Sequence, residues 1–147
     1  MPKGSNWIRV EKRHAFYERD DYRCVYCQCA VHLSAQVRYK GQTYADDSAT
    51  LDHLQPPRRG GSNDVPNIVT ACRRCNNEKN TKTFHQYLMY LYPSDTARRE
   101  EERKRIRRLA RRSVKKVLRR LRAEEQERRA ASHAVQRHME DEGDPPF

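Results

Sequence analysis

Apolar positions first gather at Trp7, Ile8 and Val10 and then at Phe16 and Tyr17, a pattern that predicts a short helix closed by a turn at Asp20-Asp21. Ala49-Thr50-Leu51 runs into Asp52-His53 as a short strand, and Ile68-Val69-Thr70-Ala71 reads as a second. Between them, the run from Pro56 to Asp64, with Gly60-Gly61 at its centre, is a loop by composition. Cys72 to Asn80 is expected to turn into a helix. Thr83 to Tyr92, with Phe84, Tyr87, Leu88 and Leu91 on one face, predicts another. Residues 30–50 carry the weakest pattern; Val37-Arg38-Tyr39 and Thr43-Tyr44 around Lys40-Gly41 suggest a small hairpin.

After Pro93-Ser94-Asp95 the pattern changes. From Ala97 to about His138 the text is helical and repeats every four residues, with basic pairs at Arg107-Arg108, Arg111-Arg112, Lys115-Lys116 and Arg119-Arg120. Ile106, Leu109, Ala110, Val114, Val117, Leu118 and Leu121 form the opposite stripe, because four-residue spacing keeps each set on one helical face. One long basic helix is therefore expected. The change of composition divides the chain into residues 1–94 and a basic helical extension, residues 95–147, with an acidic C-terminal end. Every candidate ligand and catalytic residue precedes Pro93, so the first unit is expected to fold without the second.

Charge sharpens this picture. The chain of 147 residues has a formal net charge of +11, and Ala97–Arg122 holds 14 basic residues against 3 acidic ones. Such an excess implies a polyanionic partner, DNA before an anionic membrane surface. No apolar run approaches the roughly 20 residues of a membrane span, and no apolar leader opens the chain. The expected setting is the cytoplasm, a host's cytoplasm if the chain belongs to a phage or mobile element, without secretion. With 35% hydrophobic residues and a mean hydropathy of -1.18, the chain is poorly supplied for a large core and should need a staple.

The cysteines supply one. Cys24-x-x-Cys27 and Cys72-x-x-Cys75 are two bidentate claws whose four thiolates fill the tetrahedral shell of a structural zinc. Reduced intracellular thiols favour metal over disulfide. Cys29 is the spare, and Arg23, Arg73 and Arg74 flank the ligands to offset their charge. The 44 residues between the claws leave room for something functional. Asp52-His53 sits there, at a strand end: a carboxylate suits a hard cation, and a neutral imidazole is a natural proton acceptor near pH 7. Asn76, directly after the fourth cysteine, offers an amide oxygen as second ligand. His14, His32, His85, His133 and His138 read as surface or packing residues.

These residues together resemble a known family. Cys24-Val-Tyr-Cys27, Leu51-Asp52-His53, Gly60-Gly61, Asn67-Ile68-Val69 and Cys72-Arg-Arg-Cys75-Asn76-Asn77-Glu78-Lys79 are similar, in order, to the HNH endonucleases over roughly residues 7–92. The resemblance implies an α+β fold: a small zinc-stapled ββα-metal core, here followed by the basic helix. It implies Asp52 as first ligand of a catalytic Mg²⁺ or Mn²⁺, His53 as general base, Asn67 as brace of the loop and orienter of the histidine, and Asn76 as second ligand. Asn80 stands where many relatives have glycine, and the 20 residues between Ala30 and Leu51 are a longer spacer than the pattern expects.

The activity expected is hydrolysis of DNA phosphodiesters, by nicking or, as a dimer, by double-strand cleavage. A non-catalytic zinc-dependent DNA-binding module and a nuclease acting on RNA are the alternatives. Arg58, Arg59 and the eight cations Arg107, Arg108, Arg111, Arg112, Lys115, Lys116, Arg119 and Arg120 are candidate phosphate contacts on double-stranded DNA. The apolar stripe of the extension is a candidate seam for a homodimer.

Overall fold

A computed structural model describes Ile8, residues 10–33 and residues 45–141. The hairpin expected around Lys40-Gly41, Trp7, and Glu142 and Asp144 of the acidic end lie outside the described residues. Helix α1 spans Val10–Arg19, strand β1 Ala49–His53, strand β2 Ile68–Cys72 and helix α2 Arg73–Lys79. Three further helices follow, α3 Phe84–Leu91, α4 Thr96–Arg111 and α5 Val114–Asp141. The two strands pair antiparallel, with Ala49 opposite Cys72 and His53 opposite Ile68. The fold is thus α+β, with β1, β2 and α2 in the expected ββα order.

Strand β2 is buried along its whole length, and its alternating sides serve different apolar groups. Val69 and Ala71 join Val25, Tyr26, Leu54, Phe84, Tyr87, Leu88, Ile106 and Ala110. Ile68 joins Phe16, Tyr17, Leu51, Val65 and Val117. Neither group is large, so the thin sheet between them fixes both. Helix α3 starts as its sequence predicts: the Thr83 side chain accepts from the Gln86 amide and Gln86 returns the bond, closing a capping box. Asp95 caps α4 by accepting from the Arg98 amide at 2.9 Å.

The single helix expected from Ala97 to His138 is two helices, broken at Arg112-Ser113, where Ser113 takes φ of 53°. The cause lies far back in the chain. Arg19 donates to the carbonyl of Ala110 at 2.9 Å, so the last turn of α4 is capped by a cation instead of continuing. The same guanidinium donates to the carbonyls of Val65 and Ile68 and to both carboxylate oxygens of Asp20. Asp20 in turn accepts from the Thr70 amide at 2.8 Å. Both side chains are essentially sealed from solvent.

The apolar stripe of the extension faces this core. Ile106, Ala110 and Val117 are buried in it, Leu109, Val114 and Leu121 pack at its edge, and Leu118 alone of the stripe is exposed. Arg105 donates to the carbonyl of Val25, and Lys12 and Glu18 of α1 pair with Glu125 and Arg120 of α5. The compositional boundary at residue 94 therefore runs through shared packing. Residues 126–139 of α5 are exposed without interruption. Among the described residues, no helix is long and apolar enough to cross a membrane.

Asp20→Ala should leave the Arg19 guanidinium buried without its counter-charge and lower the unfolding free energy by about 3–5 kcal/mol, measured by urea denaturation. A loss below roughly 1 kcal/mol would show that the pair is dispensable.

Candidate functional site

The first claw is a tight knuckle docked on β2. Cys24 donates its amide to the Cys29 carbonyl, Val25 donates to Thr70, and Gln28 closes the turn with φ of 63°. The second claw lies where β2 becomes α2, and the Cys72 sulfur caps that helix by accepting from the Cys75 amide. The Arg73 and Arg74 amides tie it to the carbonyls of Ser48 and Asp46, so the end of the long spacer is folded onto the second claw.

The four Sγ atoms of Cys24, Cys27, Cys72 and Cys75 lie within 4.8 Å of one another, and Cys27 and Cys72 are 3.8 Å apart. A tetrahedron with zinc–sulfur arms of about 2.3 Å has edges of about 3.8 Å, so the thiols can hold a zinc ion without rearrangement. A hydrogen bond from the Cys75 thiol pulls Cys24 down to about 5, and Cys75 is pushed up as the partner that keeps its proton. The nearby sulfurs, Cys75 first, raise Arg74 above its ordinary value, which places its positive charge beside them. Arg23 turns instead to the Gln28 carbonyl. Cys29 stays outside the four, its thiol pushed up to about 12, chiefly by burial.

Asp52 and His53 end β1 against this cluster. Asp52 is 7% exposed, and its Oδ2 accepts from the Tyr26 hydroxyl at 2.6 Å. Lys79 Nζ lies 3.2 Å from Oδ1 and 3.1 Å from Oδ2, and donates to the His53 carbonyl at 2.7 Å. Lys79 is fully buried. Burial pushes the Asp52 carboxyl up and the Lys79 ammonium down, and the attraction between them opposes both shifts. The His53 Nε2 is 2.8 Å from Asn63 Oδ1. An amide oxygen can only accept, so the ring donates to it from Nε2.

The loop after His53 is held by two devices. Asn67 accepts from the Gln55 amide and donates to the carbonyls of Gln55 and Ser62, a brace from one end of the loop to the other. Gly61 comes so close to Gln55 that a Cβ there would lie 1.6 Å from the Gln55 carbonyl oxygen, so only glycine fits. Asn76 donates its amide group to Thr50 Oγ1 at 2.9 Å and the Leu51 carbonyl at 3.3 Å, which turns its carbonyl oxygen away from both. Asn80 takes φ of 51° after α2, on the positive side that glycine would favour.

Tyr26, Lys79 and Asn63 are site residues that the motif reading did not assign. Lys79 stood within the motif text, Tyr26 between Cys24 and Cys27, and Asn63 just after Gly60-Gly61. The basic candidates divide. Arg59 bonds the Thr81 carbonyl and Arg107 the His85 ring. Arg112 pairs with Asp21 and Arg120 with Glu18. Arg58, Arg108, Arg111, Lys115, Lys116 and Arg119 are exposed and make no ion pair among the described residues. His85, accepting from Arg107, is held neutral, its pKa lowered first by burial and then by Arg107 and Arg103.

Residues 24–82 match the family model of the HNH endonucleases, the family that the motifs resemble. Neither the curated proteins nor the solved structures give a match.

Cys72→Ser removes one thiolate and the sulfur cap of α2 together. It should abolish zinc retention and the cooperative unfolding transition, since metal affinity at such a site is folding free energy. Elemental analysis and thermal denaturation would read both; a variant with full zinc and an unchanged transition would contradict the assignment.

Proposed function

We propose that this protein with an HNH endonuclease domain is a hydrolase of DNA phosphodiesters whose general base is His53. The observation that carries this reading is the seating of His53. Its ring is bonded at Nε2 by Asn63, its carbonyl is held by Lys79, and Asp52 beside it is clamped from two sides. A surface histidine of no function would not need this support.

His53 Nδ1 takes the proton from the attacking water, and the Asn63 bond keeps the ring in the tautomer that can do so. The Asn67 brace and the close approach at Gly61 fix the loop that carries Asn63, which seats the Asn63 side chain at the ring. Asp52 retains lone pairs beyond those taken by Tyr26 and Lys79, and the Asn76 carbonyl oxygen is turned away from its amide's partners. These are oxygen donors, which suit a hard cation, so Asp52 and Asn76 would hold Mg²⁺ or Mn²⁺. Such an ion, when bound, stabilises negative charge on the phosphoryl and leaving oxygens. The four cysteines hold a separate, structural zinc.

The polyanionic partner is double-stranded DNA. Arg108, Arg111, Lys115, Lys116 and Arg119 are exposed on either side of the α4–α5 break and make no ion pair among the described residues. Each phosphate that they neutralise adds roughly 0.9 to the salt dependence of binding and carries no sequence preference. One hydrolytic site cuts one strand, and the reading is therefore a nicking activity per molecule.

His53→Ala should lower the rate of supercoiled-plasmid nicking in Mg²⁺ by about 10²–10⁴-fold while zinc content and DNA affinity stay at wild-type levels. EDTA should stop the wild-type reaction. Nicking by His53→Ala at the wild-type rate would remove the proposed base; a wild-type chain that binds plasmid and never nicks it would favour the binding-module alternative.

A further inference from the structure

The two cysteine claws do more than close the fold, because each sends one side chain to the same carboxylate. Tyr26 is the residue between Cys24 and Cys27, and its hydroxyl donates to Asp52 Oδ2 at 2.6 Å. Lys79 is the last residue of α2, the helix that the Cys72 sulfur caps, and its ammonium spans both Asp52 oxygens. The third donor of that ammonium goes to the His53 carbonyl.

All three side chains are shielded: Tyr26 is 3% exposed, Lys79 0% and Asp52 7%. The Tyr26 ring packs edge-on against Tyr87, with centroids 5.1 Å apart, so the phenol is aimed by the wall behind it. The Tyr87 hydroxyl takes a different direction, toward Glu78 and the Cys75 sulfur. Nothing in the closure of a four-thiolate site requires a phenol in the first claw or an ammonium after the second. Both groups are explained by what they hold.

We propose that Tyr26 and Lys79 are positioning residues that lock the Asp52 carboxylate, so that the four-cysteine site sets the geometry of the hydrolytic site as well as the fold. This rests on the nuclease reading given above. Removing the phenol leaves the zinc ligands in place and loosens the carboxylate that a divalent cation would need. Partners that orient a metal ligand in this way carry about 10–100-fold in metal affinity or activity.

The test is Tyr26→Phe in the full-length, zinc-loaded chain, with Tyr87→Phe as its control. Three quantities are measured: zinc content, Mn²⁺ affinity without DNA, and plasmid nicking resolved into kcat and KM. Tyr26→Phe should keep its zinc and its KM for plasmid, bind Mn²⁺ about tenfold or more weakly, and lose kcat to a similar extent. Tyr87→Phe, once zinc-loaded, should match wild type in Mn²⁺ affinity and kcat. Unchanged Mn²⁺ affinity and kcat in Tyr26→Phe would overturn the proposal, and so would equal losses in Tyr87→Phe, which would mark a packing effect. Loss of zinc from Tyr26→Phe would overturn it too, by making the phenol part of the staple. A wild-type chain that does not nick would fail the nuclease reading instead, and the Mn²⁺ affinities would still decide the clamp.

Discussion

Arg19 commits all five of its N–H donors inside the fold. Two go to Asp20, and the others to the carbonyls of Val65, Ile68 and Ala110. Those acceptors belong to the end of α1, the loop before β2, β2 itself and the end of α4. A guanidinium is a planar fork that cannot lose its charge, so it can join four segments at one buried point only if every donor is met. Here it is, and Asp20 supplies the counter-charge. Replacing Arg19 or Asp20 would strand a buried ion.

This join matters because the chain has little else. With two modest apolar groups on either side of a two-stranded sheet, burial alone would leave the fold marginal. Three devices make up the difference: the thiols that can hold zinc, the Arg19–Asp20 pair, and helices α4 and α5, which lend Ile106, Ala110 and Val117 to the core. Function inherits that economy. Asp52 and His53 sit on the strand that these devices support, and the groups that hold them come from the claws and the braced loop.

The claws, the strand ending in Asp52-His53, the loop glycines and the α3 face were legible because their signals are local. Ligand spacing, apolar period and turn chemistry are each written within a few residues. The break at Ser113 was not, since its cause is Arg19, more than ninety positions earlier. Asp20 read as a turn residue for the same reason, and its buried ion pair has no local mark. The stripe from Ile106 to Leu121 was visible as a stripe, but periodicity cannot say whether such a face meets its own core or a second chain. Tyr26 reaches Asp52 only because the claw packs on the strand, and Asn63 reaches His53 only because the braced loop folds back on the strand end. The charge of the extension was plain in the sequence; which of its cations are already paired was not.

Helices α4 and α5 pack against the sheet and α1 as a wall of the fold, with Ile106, Ala110 and Val117 buried in its core. Residues 1–94 alone, supplied with zinc, test this most directly through their urea unfolding transition. The buried Ile106, Ala110 and Val117 and the Arg19 bond to Ala110 would all be missing, so no cooperative transition is expected. A truncated chain that binds one zinc and unfolds cooperatively, close to the full-length midpoint, would contradict it.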